Sequence, residues 1–338
     1  DLQVDYVEVG LRSLINDGFR GAAAFSTENF LTSLKIPSNL KNKLGVMING
    51  AELIPKGEDL EVSSLETFQK TVLDKLFLNR KDSLISLVRV ACHANEFSHC
   101  LHAAKILKHK GYTVGFNLMQ ISEHSYTTIK DLITNSSDFP IDVIYFADSL
   151  GCCTEDKVRE LVSLIKSCTN TEIGIHPHDN MGKAISNIES AINEGATWVD
   201  CTVTGMGRGP GNAQTEFLYL ALDKQIKKPF DPTKLFTLIK TYFMPMQKKY
   251  SWGTNHFYFL AAKYKIHPTY IQNMLSESKY SDEDILHVME FLKNRNSAKY
   301  NASLLNVARG FYPSEKEGSW APSEVIENKE VLILGSGP

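Results

Sequence analysis

The sequence predicts an α/β protein: a parallel (β/α)8 barrel followed by a C-terminal helical appendage. Three observations carry this expectation. Short apolar, β-branched runs alternate with amphipathic stretches over the first two thirds of the 338 residues. Those runs are apolar along almost their whole length, as strands of a parallel sheet covered by helices must be. After about Lys228 the alternation stops, and helical patterns follow one another without strands.

Taken in order, the predicted strands are residues 4–10, 44–49, 84–92, 112–119, 143–148, 172–178 and 198–204. Between them lie helical patterns such as 96–110, 154–167 and 183–194. In the last of these Ala184, Ile188, Ala191 and Ile192 share one face. A (β/α)8 barrel needs eight strands, and these are seven. The first begins within a few residues of Asp1. The expectation is therefore that strand one precedes the recorded chain; an open, doubly wound sheet of seven strands is the rival.

Pro229-Phe-Asp-Pro232 marks the end of the barrel domain, residues 1–228. The appendage, 229–311, carries helical patterns at 233–244, 257–263, 269–276, 282–293 and 302–308. A Gly/Pro/Ser/Trp linker follows at 312–328. Residues 329–338 run Val331-Leu-Ile-Leu-Gly-Ser-Gly-Pro338. An apolar run entering Gly-x-Gly reads either as the start of a truncated Rossmann-like domain or as a terminal strand with a tail.

Composition narrows the function classes. A chain 43% hydrophobic and 22% charged is ordinary for a globular protein. A net charge of −3 implies no nucleic-acid or membrane field. No apolar run approaches the roughly 20 residues that span a bilayer. The six cysteines form no C-x-x-C pair and read as reduced thiols of a cytoplasmic protein.

The chemistry concentrates in Ile173-Gly-Ile-His-Pro-His-Asp-Asn180. Side chains alternate across a strand, so His176 and His178 point the same way. Pro177 cannot donate to a ladder, so regular pairing is ending there. Two imidazoles at the carboxyl end of a barrel strand occupy the end where active sites lie. They read as ligands of a divalent ion, or as two exposed loop histidines. Asp179 or Asn180 is placed to cap the helix that follows. One βα unit later, Asp200-Cys-Thr-Val-Thr-Gly-Met-Gly-Arg-Gly-Pro-Gly-Asn212 leaves a strand for a glycine-rich loop. Its glycines allow close backbone approach, and Asn212 ends it with an amide oxygen. Alone, the loop reads equally as a phosphate cradle or a turn.

These motifs together, His-Pro-His-Asp-Asn-x-Gly-x-Ala, Gly-Ala-x-x-Val-Asp and Gly-x-Gly-x-Gly-x-Gly-Asn, resemble the DRE-TIM metallolyases. That family includes HMG-CoA lyase, isopropylmalate synthase and 4-hydroxy-2-oxovalerate aldolase. The resemblance runs from about Val4 to Glu216 and is closest to the 4-hydroxy-2-oxoacid aldolases. Tyr6-Val-Glu-Val-Gly10 resembles that branch's second strand, Val88-Arg-Val-Ala-Cys-His-Ala-Asn-Glu96 its fourth, Thr113-Val-Gly-Phe-Asn-Leu-Met119 its fifth, and Phe146-Ala-Asp-Ser-Leu-Gly151 its sixth.

The resemblance implies a TIM barrel with a divalent cation, Mn²⁺ first and Mg²⁺, Co²⁺ or Zn²⁺ as alternatives. His176, His178 and Asn212 are its implied ligands here, with an Asp from the family's first strand. The implied substrate is a small 2-oxoacid whose pyruvate unit forms an enolate as a carbon–carbon bond breaks or forms. Ser149, Asn117, Thr202 and Gly207 are the implied substrate contacts, and His93 and Glu8 the implied catalytic groups. Each has a simpler role open to it. Glu8 can partner Arg12 or Arg89, His93 can cap a helix, and Asn117 can fill the barrel.

Two departures stand against the family pattern. The Thr-Leu-Arg-Asp motif of its first strand is absent from this sequence. At the position of the aldolases' appendage tyrosine, Trp252-Gly253-Thr254 places Thr254. Either the acid–base role falls to Tyr258 or Tyr250, or the substrate differs. The alternatives to an aldolase are an acetyl-CoA Claisen synthase and a degenerate scaffold barrel in a larger protein. Neither a nucleic acid nor a membrane is an expected partner; a second copy of the chain, meeting through the appendage, is.

Overall fold

The computed structural model describes residues 4–15, 22–56, 62–222, 231–277, 279–295 and 297–311. Seven parallel strands run β1 (Val7–Leu11), β2 (Leu44–Asn49), β3 (Ile85–Cys92), β4 (Thr113–Leu118), β5 (Val143–Asp148), β6 (Glu172–Pro177) and β7 (Trp198–Val199). They pair in strict sequence order, β1 to β7. The intervening helices are α1 (Glu28–Ser33), α2 (Val62–Leu76), α3 (Ala94–Cys100), α4 (His102–His109), α5 (Tyr126–Ser136), α6 (Glu155–Cys168), α7 (Ala184–Glu194) and α8 (Thr215–Ala221). This is the curled sheet and helical jacket of an α/β barrel, not a doubly wound sheet, whose strand order would reverse.

Alternation along the strands sorts the core. Val88, Val90 and Cys92 of β3, Val114, Phe116 and Leu118 of β4, and Ile173 and Ile175 of β6 pack outward against the helices. Their neighbours face the barrel axis. There Arg89 of β3 donates Nε–H to Glu8 of β1 at 2.6 Å and Nη1–H to Asp200, just past β7, at 2.6 Å. The Tyr145 ring covers the guanidinium at 4.5 Å. Gly174 makes room, because a Cβ there would collide with the Tyr145 ring.

Strands β1 and β7 are the sheet edges, unpaired to each other among the described residues. Side chains span that seam. Tyr6 stacks on Trp198 at 5.1 Å between ring centroids, and Arg89 holds both edges through Glu8 and Asp200.

The predicted strand 198–204 is shorter than expected. After Val199 the chain turns back on its own loop: Thr202 N–H donates to the Ala213 carbonyl and Thr215 N–H to the Thr202 carbonyl. With no strand paired on its outer side, the segment meets its hydrogen bonds within the loop. The first strand begins at Val7 rather than residue 4, and the pattern at 96–110 is two helices meeting at Leu101.

The appendage comprises α9 (Pro232–Leu238), a π-helical turn (Ile239–Phe243), α10 (Met244–Tyr250), α11 (His256–Lys263), α12 (Pro268–Leu275), α13 (Asp282–Lys293) and α14 (Ala302–Phe311). The first predicted helix thus continues to Tyr250. The widened turn accommodates Pro245, which has no N–H to donate and a ring that crowds the preceding turn. A second core of Phe257, Tyr258, Ile271, Met289 and Leu292 holds α11 to α14 together. The boundary at 228, the linker 312–328 and the Gly-x-Gly tail 329–338 lie outside the described residues. Among the described residues no helix is long and apolar enough to cross a membrane.

Candidate metal centre

His176 is the next-to-last residue of β6 and His178 lies just past its end, with ring centroids 5.3 Å apart. The backbone then stitches the histidine loop to the glycine loop. His178 bridges Asn212 antiparallel, Asp179 N–H donates to the Gly211 carbonyl at 3.1 Å, and Ala213 N–H donates to the Pro177 carbonyl at 3.3 Å. That register sets Asn212 beside His178, next to the His176 ring, at the barrel mouth. Asp179 caps the following helix by accepting the Ala184 N–H at 3.0 Å, so the cap is Asp179 and not Asn180.

His176 donates Nδ1–H to Asp200 at 2.8 Å. A carboxylate accepts only, so this contact fixes the tautomer and leaves Nε2 as the ligating nitrogen. Asp200 is buried, a cost that would raise its pKa. Arg89 and His176 overcome that and hold it down at about 2. His178 is pushed down to about 3, first by burial and then by His176, Arg208 and His267. It is neutral at pH 7, the form that ligates a metal.

Several buried polar atoms have no hydrogen-bond partner among the described residues: His178 Nδ1, Asn212 Oδ1, Thr202 Oγ1 and Asn117 Oδ1. Buried acceptors are rarely left so. Two ring nitrogens and an amide oxygen suit a divalent ion, and so the residues present fit one. Among the described residues no third His, Cys, Asp or Glu completes a trio with the two histidines.

The glycines set the loop's shape. Gly211 has φ +79°, and a Cβ there would strike the Gly205 carbonyl. A Cβ on Gly207 would lie 2.5 Å from the Asn212 amide nitrogen, so only glycine there leaves Asn212 in place. From the other side the appendage clamps this loop and the histidine loop beside it. Trp252 Nε1–H donates to the Thr204 carbonyl at 3.0 Å, Gly253 N–H to the Gly209 carbonyl at 3.0 Å, and Thr254 Oγ1–H to the Asn180 carbonyl at 2.7 Å.

The remaining expected residues divide. Ser149 accepts the Gln120 N–H at 3.1 Å, which turns it toward the loop after β4. His93 heads α3, with its own backbone N–H donated to Glu96 at 2.9 Å. Glu8 pairs with Arg89, whereas Arg12 is held by Glu28 at 3.0 Å. Of the two tyrosines, Tyr250 is exposed, with the Lys249 ammonium over its ring. Tyr258 lies under Gly209, with burial pushing its hydroxyl up to about 12. Asp200 was missed from sequence as the orienting carboxylate, and Arg89 was named there only as one of two partners for Glu8. Arg89 carried a readable signal: a charge in the middle of an apolar strand demands a buried counter-ion.

A barrel of consecutive parallel strands with a two-histidine mouth at its carboxyl end is an enzyme-type α/β barrel. Residues 2–241 match the HMGL-like family, more than half of the chain, and the chain belongs to that family. It is similar to the 4-hydroxy-2-oxovalerate aldolase of Brevibacillus brevis, 31% identical over 163 residues, 48% of each chain. It is also similar to that of Carboxydothermus hydrogenoformans, 32% identical over 206 residues, 60% of this chain and 55% of the relative. The matched part spans about half the length of these relatives. Among solved structures, the N-terminal domain of a candidate aldolase from Bacteroides vulgatus superposes with TM-score 0.67 at 27% identity, over 84% of this chain and 87% of that one. The carboxyl transferase domain of Rhizobium etli pyruvate carboxylase shares the fold, with TM-score 0.58 at 14% identity over 80% of this chain and 48% of the other.

Proposed function

We propose that this chain is the catalytic barrel of a divalent-metal-dependent aldolase that cleaves or forms a 4-hydroxy-2-oxoacid through a pyruvate enolate. The observation that carries the reading is His176 locked on Asp200 beside a neutral His178 and the free amide oxygen of Asn212. The aldolase relatives support the same reaction class.

His176 Nε2, His178 and Asn212 would hold the ion, Mn²⁺ being the first to try. When bound, it supplies Lewis acidity where the enolate's negative charge develops. The rest is the work of the chain's own groups. Asp200 and Arg89 keep the His176 ring turned outward. Thr202 and Asn117 offer polar groups for the 2-oxoacid, and Ser149 flanks it. Gly207 leaves the loop backbone open to close approach. His93, just past the end of β3, is the group placed to accept and return the substrate hydroxyl proton. Glu8, committed to Arg89, positions rather than reacts. Six free thiols support a reducing, cytoplasmic setting, and the exposed aromatic residues of α9 and the π-helical turn, such as Phe236 and Tyr242, support self-association through the appendage.

The test is direct. Full-length protein incubated with Mn²⁺ and racemic 4-hydroxy-2-oxoacids should release pyruvate, stop on chelation and resume when Mn²⁺ is restored. No pyruvate from any member of the series contradicts the reading.

A further inference from the structure

Gln120, two residues past β4, carries a strained backbone. Its φ of +54° and ψ of +40° are left-handed. A residue with a Cβ adopts that conformation at a cost and keeps it only where its surroundings hold it. The side chain shows what holds it. Gln120 is buried, and its Nε2–H donates to the Ala298 carbonyl of the appendage at 3.0 Å. That carbonyl is itself fixed from both sides. Ser297 donates Oγ–H to the Leu292 carbonyl at 3.0 Å, and its own carbonyl accepts the His267 N–H at 2.8 Å. The Lys299 carbonyl accepts the Tyr270 hydroxyl at 3.1 Å. The packed helices α12 and α13 thus anchor the segment that Gln120 reaches.

On its other side Gln120 meets the candidate site. Its backbone N–H donates to Ser149 Oγ at 3.1 Å. Ser149 is the first residue past β5. Strands β5 and β6 run in register with Ala147 opposite His176, so two residues on Ser149 comes level with His178, on the same side of the sheet. A hydroxyl has one proton and two lone pairs. With a lone pair taken up by the Gln120 N–H, the Ser149 proton points away from that contact and is left for another acceptor. A carboxylate at the barrel mouth suits it, since a charged acceptor makes the stronger bond.

We propose that Gln120 is a positioning residue: the appendage holds it left-handed through Ala298, and its N–H in turn sets the Ser149 hydroxyl to donate to the carboxylate of the 2-oxoacid. This rests on the aldolase reading and gives the appendage a part in binding the pyruvate half.

Calorimetry of pyruvate with the full-length protein loaded with Mn²⁺ tests it. Ser149→Ala should weaken pyruvate binding by roughly ten-fold, the scale of a hydrogen bond to a charged group, and Gln120→Ala by a similar factor. The Gln120→Ala/Ser149→Ala double variant should bind no more weakly than Ser149→Ala alone, because the one residue acts through the other. Gln120→Gly and Gln120→Asn lose the reach to Ala298 but adopt the left-handed conformation readily. They should keep most of the affinity that Gln120→Ala loses. Losses that multiply in the double variant overturn the proposal, and so do equal losses in all three Gln120 variants, which a plain tether to the appendage would give. In both cases pyruvate still binds to the wild type and the aldolase reading stands. Wild-type protein that binds no pyruvate overturns that reading and the proposal together.

Discussion

Asp200 uses one carboxylate oxygen twice, accepting from Arg89 at 2.6 Å and from His176 at 2.8 Å. The guanidinium keeps the carboxylate charged, and the carboxylate keeps the imidazole in one tautomer. Orienting partners of this kind contribute about 10- to 100-fold in metal affinity. Asp200→Asn should lower Mn²⁺ affinity by about that factor, measured by calorimetry, with the fold retained in circular dichroism. An unchanged affinity would mean that His176 is not held for a metal. The two histidines were legible because strand alternation puts i and i+2 on one side. Asp200 was in view as the end of Gly-Ala-x-x-Val-Asp, but its role was not. It depends on Arg89, 111 residues away in sequence, and no local pattern joins them.

At the scale of elements, the strands were legible to within a few residues wherever both faces are buried, as in β3. The expectation failed where burial is one-sided. β7 shrinks to two residues because it is a sheet edge and its loop returns on itself. The helices of the appendage were equally plain, since α11 to α13 carry their own amphipathic periods around a separate core. Their placement on the barrel mouth came only from the family resemblance at Trp252-Gly253-Thr254 and not from any local pattern, because it rests on single hydrogen bonds from those three residues. The glycine loop is the element whose shape the account needs most. Gly211→Ala puts a side chain at φ +79° against the Gly205 carbonyl and should cost about 1–3 kcal/mol in urea unfolding. Gly207→Ala should leave stability within about 1 kcal/mol and reduce metal affinity, because it displaces the Asn212 amide. If Gly207→Ala binds metal as wild type does, Asn212 is not a ligand.

For the whole molecule, the mouth's electrostatics set a pH dependence. His178 and His267 are pushed down to about 3 and about 4, chiefly by burial. Both have folded values below their unfolded ones, so their contribution is complete above roughly pH 6.5 and is lost as pH falls. Asp148 runs the other way. Burial raises it to about 6, so it takes up a proton in the folded state first and offsets one of the two histidines. The net is one more proton bound by the unfolded chain between roughly pH 6 and 4.5. The metal-free protein should therefore lose about 1.4 kcal/mol of stability per pH unit across that range. His178→Gln should flatten the slope; an identical slope would show that His178 is not buried neutral. The central claim, that His176 and His178 anchor a divalent ion in this HMGL-like barrel, is met most directly by metal analysis of the purified full-length protein. Wild type loaded with Mn²⁺ and desalted should retain about one ion per chain, and a His176→Ala/His178→Ala double variant should retain none. Equal metal content in the two proteins would contradict the account.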